Sequence, residues 1–179
     1  MELNELILHY GEKLLRYATT IVYSHQDAED AVQDVFISYL QNSNKAEINN
    51  LSAWLYRVTY NTCLNKIKSA KRRKWFFFED VKEEPTVYME DNLAMPEIME
   101  ALKRLSPQER ALLYGRAMNG QSYDELSQIM GVSAANLRKQ YQRVKKKAAN
   151  LLDAYGYGAT DDYWTPKLCI ANKERRRAL

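Results

Sequence analysis

The chain has 179 residues and a formal net charge of +3, a length that fits one large domain or two small ones. Its two cysteines, Cys63 and Cys169, fit neither a disulfide framework nor a zinc site, and they favour a reducing compartment. The acidic start and the lack of any run of about 20 apolar residues predict neither a signal peptide nor a membrane span, so a cytoplasmic location is expected.

Glycine and proline are scarce and strand-like alternation is absent, so an all-α fold is expected. The first predicted helix is amphipathic and ends at a break over residues 24–26. A second helix is predicted to begin at Gln26 or Asp27. The apolar stripe of the first helix is Leu3, Leu6, Ile7, Tyr10, Leu14, Tyr17, Ala18 and Ile21.

The second predicted helix combines a core stripe with an acidic outer face. Asp30, Gln33, Asp34 and Ile37 share the outer face, and an apolar anchor among charges is typical of a protein-docking surface. A solvated acidic face with one stray isoleucine has the same pattern, so both interpretations stay open. The core stripe is predicted to be Ala28, Ala31, Val32, Val35, Phe36 and Tyr39.

Residues 41–50 are polar and predict a loop, and a third helix is predicted over residues 51–74. Asn61, Asn65, Lys68 and Arg72 recur at i, i+4, i+7 and i+11, which places them on one face. Asparagine is a poor helix former, and hydrogen bonding to base edges would explain two of them in one stripe. A cap to a neighbouring helix is the alternative.

The third helix is also rich in cations and aromatic residues. Between residues 61 and 78 there are six basic side chains and no acidic one, which suits a phosphate backbone. Trp54, Tyr56 and Tyr60 are expected mostly in the core, although some of this surface could stack on unpaired bases. The six basic residues are Lys66, Lys68, Lys71, Arg72, Arg73 and Lys74.

An aromatic run, residues 75–78, and an acidic segment, residues 79–94, follow the basic tract. The aromatic run either closes the first core or contacts an inhibitor, and the sequence does not choose between them. The acidic segment contains Pro85 and reads as a flexible linker. Two further helices are predicted over residues 95–118, with Ser106 as the cap of the second and Glu109 closing a capping box.

Residues 121–147 have the pattern of a helix-turn-helix. Ser122 can cap a short helix, Gly131 can make the turn, and Ser133 can cap a second helix. That second helix has no acidic residue from position 133 to 152, so its outer face can lie in the phosphate-lined major groove. A solvated basic face on a small bundle is the alternative. The apolar side of the second helix is Leu137, Tyr141, Val144 and Ala148, and its polar side is Arg138, Lys139, Gln142, Arg143 and Lys146.

The segments DAEDAVQDVF and WLYRVTYN stand in this order before a basic run, an acidic linker and a helix-turn-helix. Over about residues 3–153 the chain therefore resembles bacterial sigma factors of the extracytoplasmic-function group of the sigma-70 family. The resemblance implies two small helical domains, with sigma domain 2 at residues 1–75 and sigma domain 4 at residues 96–153. An acidic linker, residues 76–95, would join them. A C-terminal tail, residues 154–179, lies outside the resemblance.

The resemblance also implies partners and site residues. The partners would be core RNA polymerase, double-stranded promoter DNA, the single-stranded −10 non-template strand and an anti-sigma factor. Loop 43–50 would help to trap a flipped base. Core polymerase would dock on Asp27, Glu29, Asp30, Gln33, Asp34 and Ile37. The −10 element would contact Asn61, Asn65, Lys66, Lys68, Lys71 and Arg72. The −35 element would contact Ala135, Asn136, Arg138, Lys139, Gln142 and Arg143.

Two other classes of function fit the sequence less well. A helix-turn-helix repressor or activator that does not bind polymerase would need a ligand-binding or dimerising partner domain in place of residues 27–74. An enzyme is not expected, because there is no glycine-rich phosphate loop and His9 and His25 lack partners at metal-ligand spacing. Neither a cofactor nor a metal is therefore expected.

Overall fold

The computed structural model describes residues 3–42, 48–77 and 102–154, with the side chains of all but 73–77. In this part of the chain every regular element is an α-helix, which confirms the all-α expectation. The chain divides into two compact units, Met1–Tyr88 and Met89–Leu179. Most of the predicted linker, 76–95, falls outside the described residues, so its limits stay a prediction.

Three helices build the described part of the first unit: α1, Leu3–Val22; α2, His25–Gln41; and α3, Leu51–Phe77. Each helix packs against the other two. Leu14, Val35 and Leu55, one from each helix, are fully buried. The Tyr17 and Tyr56 rings meet edge-on with 5.1 Å between their centroids. The core of the unit thus lies where the three helices meet.

Two predicted helix limits need correction. Helix α2 begins at His25, one or two residues before the predicted start, because Ser24 is its N-cap and accepts a 3.2 Å hydrogen bond from the Asp27 N–H. Helix α3 continues to Phe77, three residues past the predicted end at Lys74. Aromatic residues are only moderately worse helix formers than leucine, so they do not stop a helix that has already formed.

Four members of the apolar stripes predicted for the first two helices are not buried: Ile7 is exposed, and Leu3, Tyr10 and Phe36 are partly buried. Ile7 is 42% exposed, whereas its neighbour Leu6 is fully buried. Phe36 of α2 is only partly buried, whereas the other five members of its stripe are buried. The stripes therefore have the right direction but are narrower in the fold than in the sequence.

Three helices build the described part of the second unit: α4, Pro107–Ala117; α5, Tyr123–Met130; and α6, Ala134–Asp153. Helix α4 begins with the predicted capping box. The Glu109 N–H donates to Ser106 Oγ at 3.2 Å, and the Ser106 N–H donates to Glu109 Oε2 at 2.7 Å. Most of the helix predicted before Ser106 lies outside the described residues.

Close packing joins α4 to α5. A Cβ atom on Gly115 would lie 2.8 Å from Leu126 Cδ2 and 2.6 Å from Gln121 Oε1, so only glycine fits at this crossing without a shift. A second capping box starts α5, where Ser122 exchanges hydrogen bonds with Glu125. Gly131 ends α5 at φ 69°, the left-handed conformation that the predicted turn requires.

Helix α6 follows at once, capped by Ser133 as predicted. Its four predicted apolar residues are all buried against α4 and α5. An ion pair links α6 to α4, since Lys147 Nζ donates to both carboxylate oxygens of Glu109 at 2.9 and 3.1 Å. The predicted helix-turn-helix is thus present, with α4 behind it.

Candidate nucleic-acid and polymerase-docking surfaces

The acidic face of α2 is presented to solvent as predicted. Glu29, Asp30, Gln33 and Asp34 are exposed, Asp27 is partly buried, and Ile37 is 50% exposed. The core stripe on the opposite side holds α2 against α1 and α3, which fixes the direction in which these side chains point. We call this set of six residues the α2 face.

A second apolar residue adjoins the α2 face and was missed by the sequence analysis. Leu40 is 49% exposed and lies three residues after Ile37, so the two side chains are neighbours on the helix surface. A signal was present in the sequence, because Leu40 falls outside the core stripe that ends at Tyr39. Ile37 and Leu40 therefore form a small exposed apolar patch at the edge of the α2 face, so Ile37 is not an isolated apolar residue.

The predicted stripe of α3 is also exposed along its whole length. Asn61, Asn65, Lys68 and Arg72 all face solvent, as does Lys71 beside them. Arg57 is exposed one turn before Asn61 and extends the same stripe, although it was not among the predicted residues. We call these exposed polar residues, from Arg57 to Arg72, the α3 stripe.

The buried side of α3 explains how the stripe is held. Tyr56, Tyr60 and Cys63 are buried, which confirms that most of the predicted aromatic surface belongs to the core. Burial raises the pKa of Tyr56 and of Cys63 to about 12 each. Trp54 is partly exposed, and its ring lies 6.1 Å from that of Tyr39. The side chains of Tyr56 and Cys63 therefore stay neutral at physiological pH and serve packing. The charge of α3 lies on its outer side.

Lys66 stands apart from the rest of the predicted −10 residues. Its side chain is 26% exposed, and its Nζ lies 3.6 Å from Asp30 Oδ2 and 3.9 Å from Asp34 Oδ2. Both carboxylates belong to the α2 face. The structure therefore brings one cation of α3 into contact with the acidic helix and leaves Lys68 turned to solvent.

The outer side of α6 carries all the predicted −35 residues. Arg138, Lys139 and Arg143 are exposed opposite the buried apolar stripe. The helix begins at Ala134, so these residues occupy its first three turns, the part of a recognition helix that reaches base edges. We call the set the α6 face, and its remaining members Ala135, Asn136 and Gln142 are exposed as well.

One contact on the α6 face was not anticipated. The guanidinium carbon of Arg138 lies 5.2 Å from the centroid of the Tyr123 ring, and that of Arg116 lies 4.9 Å from it. Tyr123 is the first residue of α5, and its side chain is only half-buried. An aromatic residue at the first position of a helix next to a basic recognition helix was the available signal.

The remaining candidates give no chemical site. His9 is exposed, and His25 Nε2 lies 3.3 Å from Glu29 Oε1 as a neighbour on the same helix. Within residues 3–42, 48–77 and 102–154, no three histidine, cysteine or acidic side chains are grouped so as to hold a metal ion. Nor does any helix in those ranges have the length and apolar character needed to cross a bilayer.

The charges exposed on the three surfaces suit two kinds of partner. Exposed cations on α3 and α6 suit a phosphate backbone, and amide or guanidinium groups beside them suit base edges. The acidic α2 face suits a basic protein surface. Loop residues 43–47, Phe78 and the tail 155–179, which the sequence analysis singled out, lie outside the described residues, as do the side chains of residues 75–77.

Comparison with known proteins matches both units to one family. The family model described as Sigma-70 region 2 matches residues 6–73, and Sigma-70, region 4 matches residues 96–147. The extracytoplasmic-function (ECF) RNA polymerase sigma factor SigM of Mycobacterium tuberculosis is 27% identical over 152 residues, covering 83% of this chain and 76% of that protein. RNA polymerase sigma factor SigZ of Bacillus subtilis is 25% identical over 168 residues, covering 91% and 94%.

A solved structure shares the fold. It is the co-crystal structure of the sigma factor RpoE in complex with the anti-sigma factor NepR from Bartonella quintana. The TM-score is 0.70 at 23% sequence identity, and the match covers 84% of this chain and 96% of that one. The α2 face and the α3 stripe fall within the region 2 match, and the α6 face falls within the region 4 match.

Proposed function

Because the chain belongs to the sigma-70 family, as an alternative sigma factor of the extracytoplasmic-function group, we propose that three surfaces divide its work in transcription initiation. Such a factor binds core RNA polymerase and directs it to promoters. The α2 face would bind the polymerase, the α3 stripe the −10 element and the α6 face the −35 element. We place this activity in the cytoplasm, where core polymerase acts.

The α2 face has the properties of a docking surface for a basic partner. Its carboxylates surround Ile37, which is half-exposed and continues into Leu40. Apolar side chains at the centre of an interface supply most of the binding energy, and charges around them set the register and the association rate. The proposed partner is the clamp-helix coiled coil of the largest catalytic subunit, which is the docking site that the resemblance implies.

The α3 stripe combines two kinds of DNA contact. Asn61 and Asn65 carry amides that both donate and accept, which base edges require. Lys68, Lys71 and Arg72 carry long cationic side chains that reach phosphates. We propose that the amides read an unpaired −10 base and that the cations hold the strand in position. The adjoining loop 43–50 is proposed to complete this site.

Lys66 takes a different place in the proposal. Its ammonium group already faces Asp30 and Asp34, so only part of its charge is available to DNA. We propose that Lys66 mainly orients the two carboxylates for polymerase docking and adds less to DNA binding than Lys68 does. This assignment shifts Lys66 from the predicted −10 set towards the docking surface.

The α6 face would read the −35 element from the major groove. Arginine pairs bidentately with guanine O6 and N7, and each good pair gives about 1–3 kcal/mol of discrimination. Arg138 and Arg143 are both exposed members of the α6 face and are proposed to supply such pairs. Lys139, Gln142, Asn136 and Ala135 would complete the contact surface.

We also propose regulation by an anti-sigma factor. The support is twofold: the resemblance implies such a partner, and the similar RpoE structure holds one. The proposed sites of its contact are the α2 face and the α6 face, since covering either would keep the factor from polymerase or DNA. The C-terminal tail is left without a role in this proposal.

The observation that carries the proposal is the order of matches, region 2 then region 4, with an exposed charged face in each unit. A repressor or activator would need a ligand-binding or dimerising domain where residues 6–73 match region 2 instead. The chain is therefore not expected to be an enzyme, and that expectation follows from the family.

In vitro transcription is the test. Purified full-length protein is added to core RNA polymerase on a library with randomised −35 and −10 elements. We expect transcripts from promoters that share one −35 and one −10 sequence, and loss of −10 preference at one position with Asn61→Ala. Transcript starts no more sequence-specific than those of core polymerase alone would overturn the proposal.

A further inference from the structure

We propose that Tyr123 is a positioning residue for −35 recognition, because its ring holds the Arg138 guanidinium in the orientation from which α6 reads a base pair. The inference rests on the proposed function of the α6 face. It adds Tyr123 of α5, the first helix of the helix-turn-helix, to the residues proposed to determine −35 specificity, which otherwise all belong to α6.

The geometry is that of a cation–π contact. The Arg138 guanidinium carbon is 5.2 Å from the ring centroid, inside the range of about 6 Å within which such contacts are attractive. Arg138 and Tyr123 come from different helices, so the contact also spans the turn at Gly131. Arg138 is exposed, and the ring beside it limits the rotamers that its side chain can adopt.

The ring is itself held in place from two other directions. It meets Tyr141 edge-on with 6.2 Å between centroids, and Tyr141 is buried in α6. Arg116 of α4 lies 4.9 Å from the ring centroid, and its guanidinium donates a 2.8 Å hydrogen bond to the Gln121 carbonyl. Tyr123 is thus fixed by α4 and by the core of α6 before any DNA is bound.

A fixed ring matters because arginine is flexible. An arginine side chain carries about 2 kcal/mol of rotamer entropy, part of which is lost when its planar group pairs with a base. Holding the guanidinium beforehand removes some of that loss, which is how preorganisation improves binding. The opposite case, in which the ring holds Arg138 away from DNA, predicts a change of opposite sign in the experiment below.

Arg143 provides the matched comparison on the same helix. It is exposed on the α6 face, and no ring contact of Arg143 occurs within the described residues. Changes at Tyr123 should therefore affect the base pair that Arg138 reads and leave the one read by Arg143 unchanged.

The experiment measures sequence preference at each −35 position with the full-length protein in complex with core RNA polymerase and a fixed −10 element. Tyr123→Leu keeps apolar bulk but removes the ring, and we expect discrimination at the Arg138 base pair to fall roughly two- to fivefold. Tyr123→Phe should keep the wild-type preference. In double variants, Tyr123→Leu should add nothing to Arg138→Ala at that base pair and should add fully to Arg143→Ala.

The outcomes distinguish a failure of the proposed function from a failure of the positioning role of Tyr123. If wild-type protein shows no −35 preference, the proposed function fails. If Arg138→Ala loses its preference while Tyr123→Leu matches wild type or discriminates better, the positioning role alone fails. Should Tyr123→Leu not fold, the NMR shifts of wild-type protein decide: the Arg138 side-chain protons should move upfield relative to those of Arg143, and equal shifts would overturn the proposal.

Discussion

The basic sides of α3 and α6 are similar in sequence but meet different surroundings in the fold. Helix α3 lies beside the acidic α2, and one of its cations, Lys66, contacts two carboxylates. The α6 face contains no acidic residue, since the one acidic residue of α6, Asp153, is the last residue of the helix, and the ion pair of Lys147 with Glu109 lies outside that face. We therefore expect the number of cations in the sequence to be a better guide to DNA contact for α6 than for α3.

The two helices also differ in how their amides and cations are arranged. Along the α3 stripe Asn61 and Asn65 are neighbours, with Arg57 before them and the other cations after them, so the proposed base-edge groups are separate from the proposed phosphate-binding groups. Helix α6 mixes both on the same turns. The first arrangement suits a single strand followed along its backbone, and the second suits the two walls of a major groove.

The largest effect is expected on polymerase docking, where α2 and not α3 should dominate. Asp34→Lys combined with Ile37→Ala reverses a charge and removes the apolar anchor, and we expect core affinity to fall by about 2–5 kcal/mol. A pull-down titration with core polymerase measures this. Glu12→Lys is the control, because it also reverses an exposed carboxylate, on α1, that is not a member of the α2 face. Core affinity equal to that of the control would contradict the assignment.

The next effect separates base reading from charge on α6. Arg143→Ala should cost about 1–3 kcal/mol of discrimination at one −35 position and leave −10 preference unchanged. Asn150→Ala, an exposed change near the end of α6, is the matched control and should have no effect. Footprinting and library transcription measure both. Full −35 protection and unchanged selectivity in Arg143→Ala would count against a base contact.

A smaller effect tests whether contact with α2 changes what a cation of α3 does. Lys68→Ala should lower the salt slope of promoter binding by roughly 1, because it removes one phosphate contact. Lys66→Ala should change that slope less and should weaken core binding by about 0.2–1 kcal/mol, the usual range for a surface ion pair. Binding titrations at several salt concentrations decide. Equal salt slopes for the two variants would show that Lys66 is as free for DNA as Lys68.

The smallest effect concerns the ion pair between Lys147 of α6 and Glu109 of α4. Burial raises the pKa of Glu109, but hydrogen bonds from the Ser106 N–H and from Lys147, with the Lys147 charge, outweigh it and lower the pKa below its ordinary value. A carboxylate with a pKa lowered by folding stabilises the fold above its unfolded pKa, and this contribution is lost as pH falls through the folded pKa. Glu109→Gln should lower the unfolding free energy at neutral pH by about 0.2–1 kcal/mol.

Thermal melts from pH 7 down to pH 3 provide the measurement for Glu109. The difference between wild type and Glu109→Gln should be full at neutral pH and shrink in the acid range. Lys147→Ala should reduce the same pH dependence. A constant difference at every pH would mean that the carboxylate charge contributes nothing.

Local patterns in the sequence determined much of the fold. The capping box of α4, the helix caps Ser122 and Ser133, and Gly131 at the turn were all predicted from residue type and spacing. These motifs depend on hydrogen bonds between residues three or four apart, so the sequence contains all their partners. The exposed faces of α2, α3 and α6 follow for the same reason, since helical periodicity alone sets which side chains share a side.

Contacts between helices were decided only in the tertiary structure. Lys66 pairs with Asp30 and Asp34 of another helix, and Arg138 contacts Tyr123 of another helix. The exposure of Ile7 likewise depends on how the helices pack. No local sequence pattern predicts any of these three features. Their energies depend on distances across helix seams, and those distances follow from how the cores pack. The sequence by itself thus determined which faces are exposed, and packing decided which charges on them are already engaged.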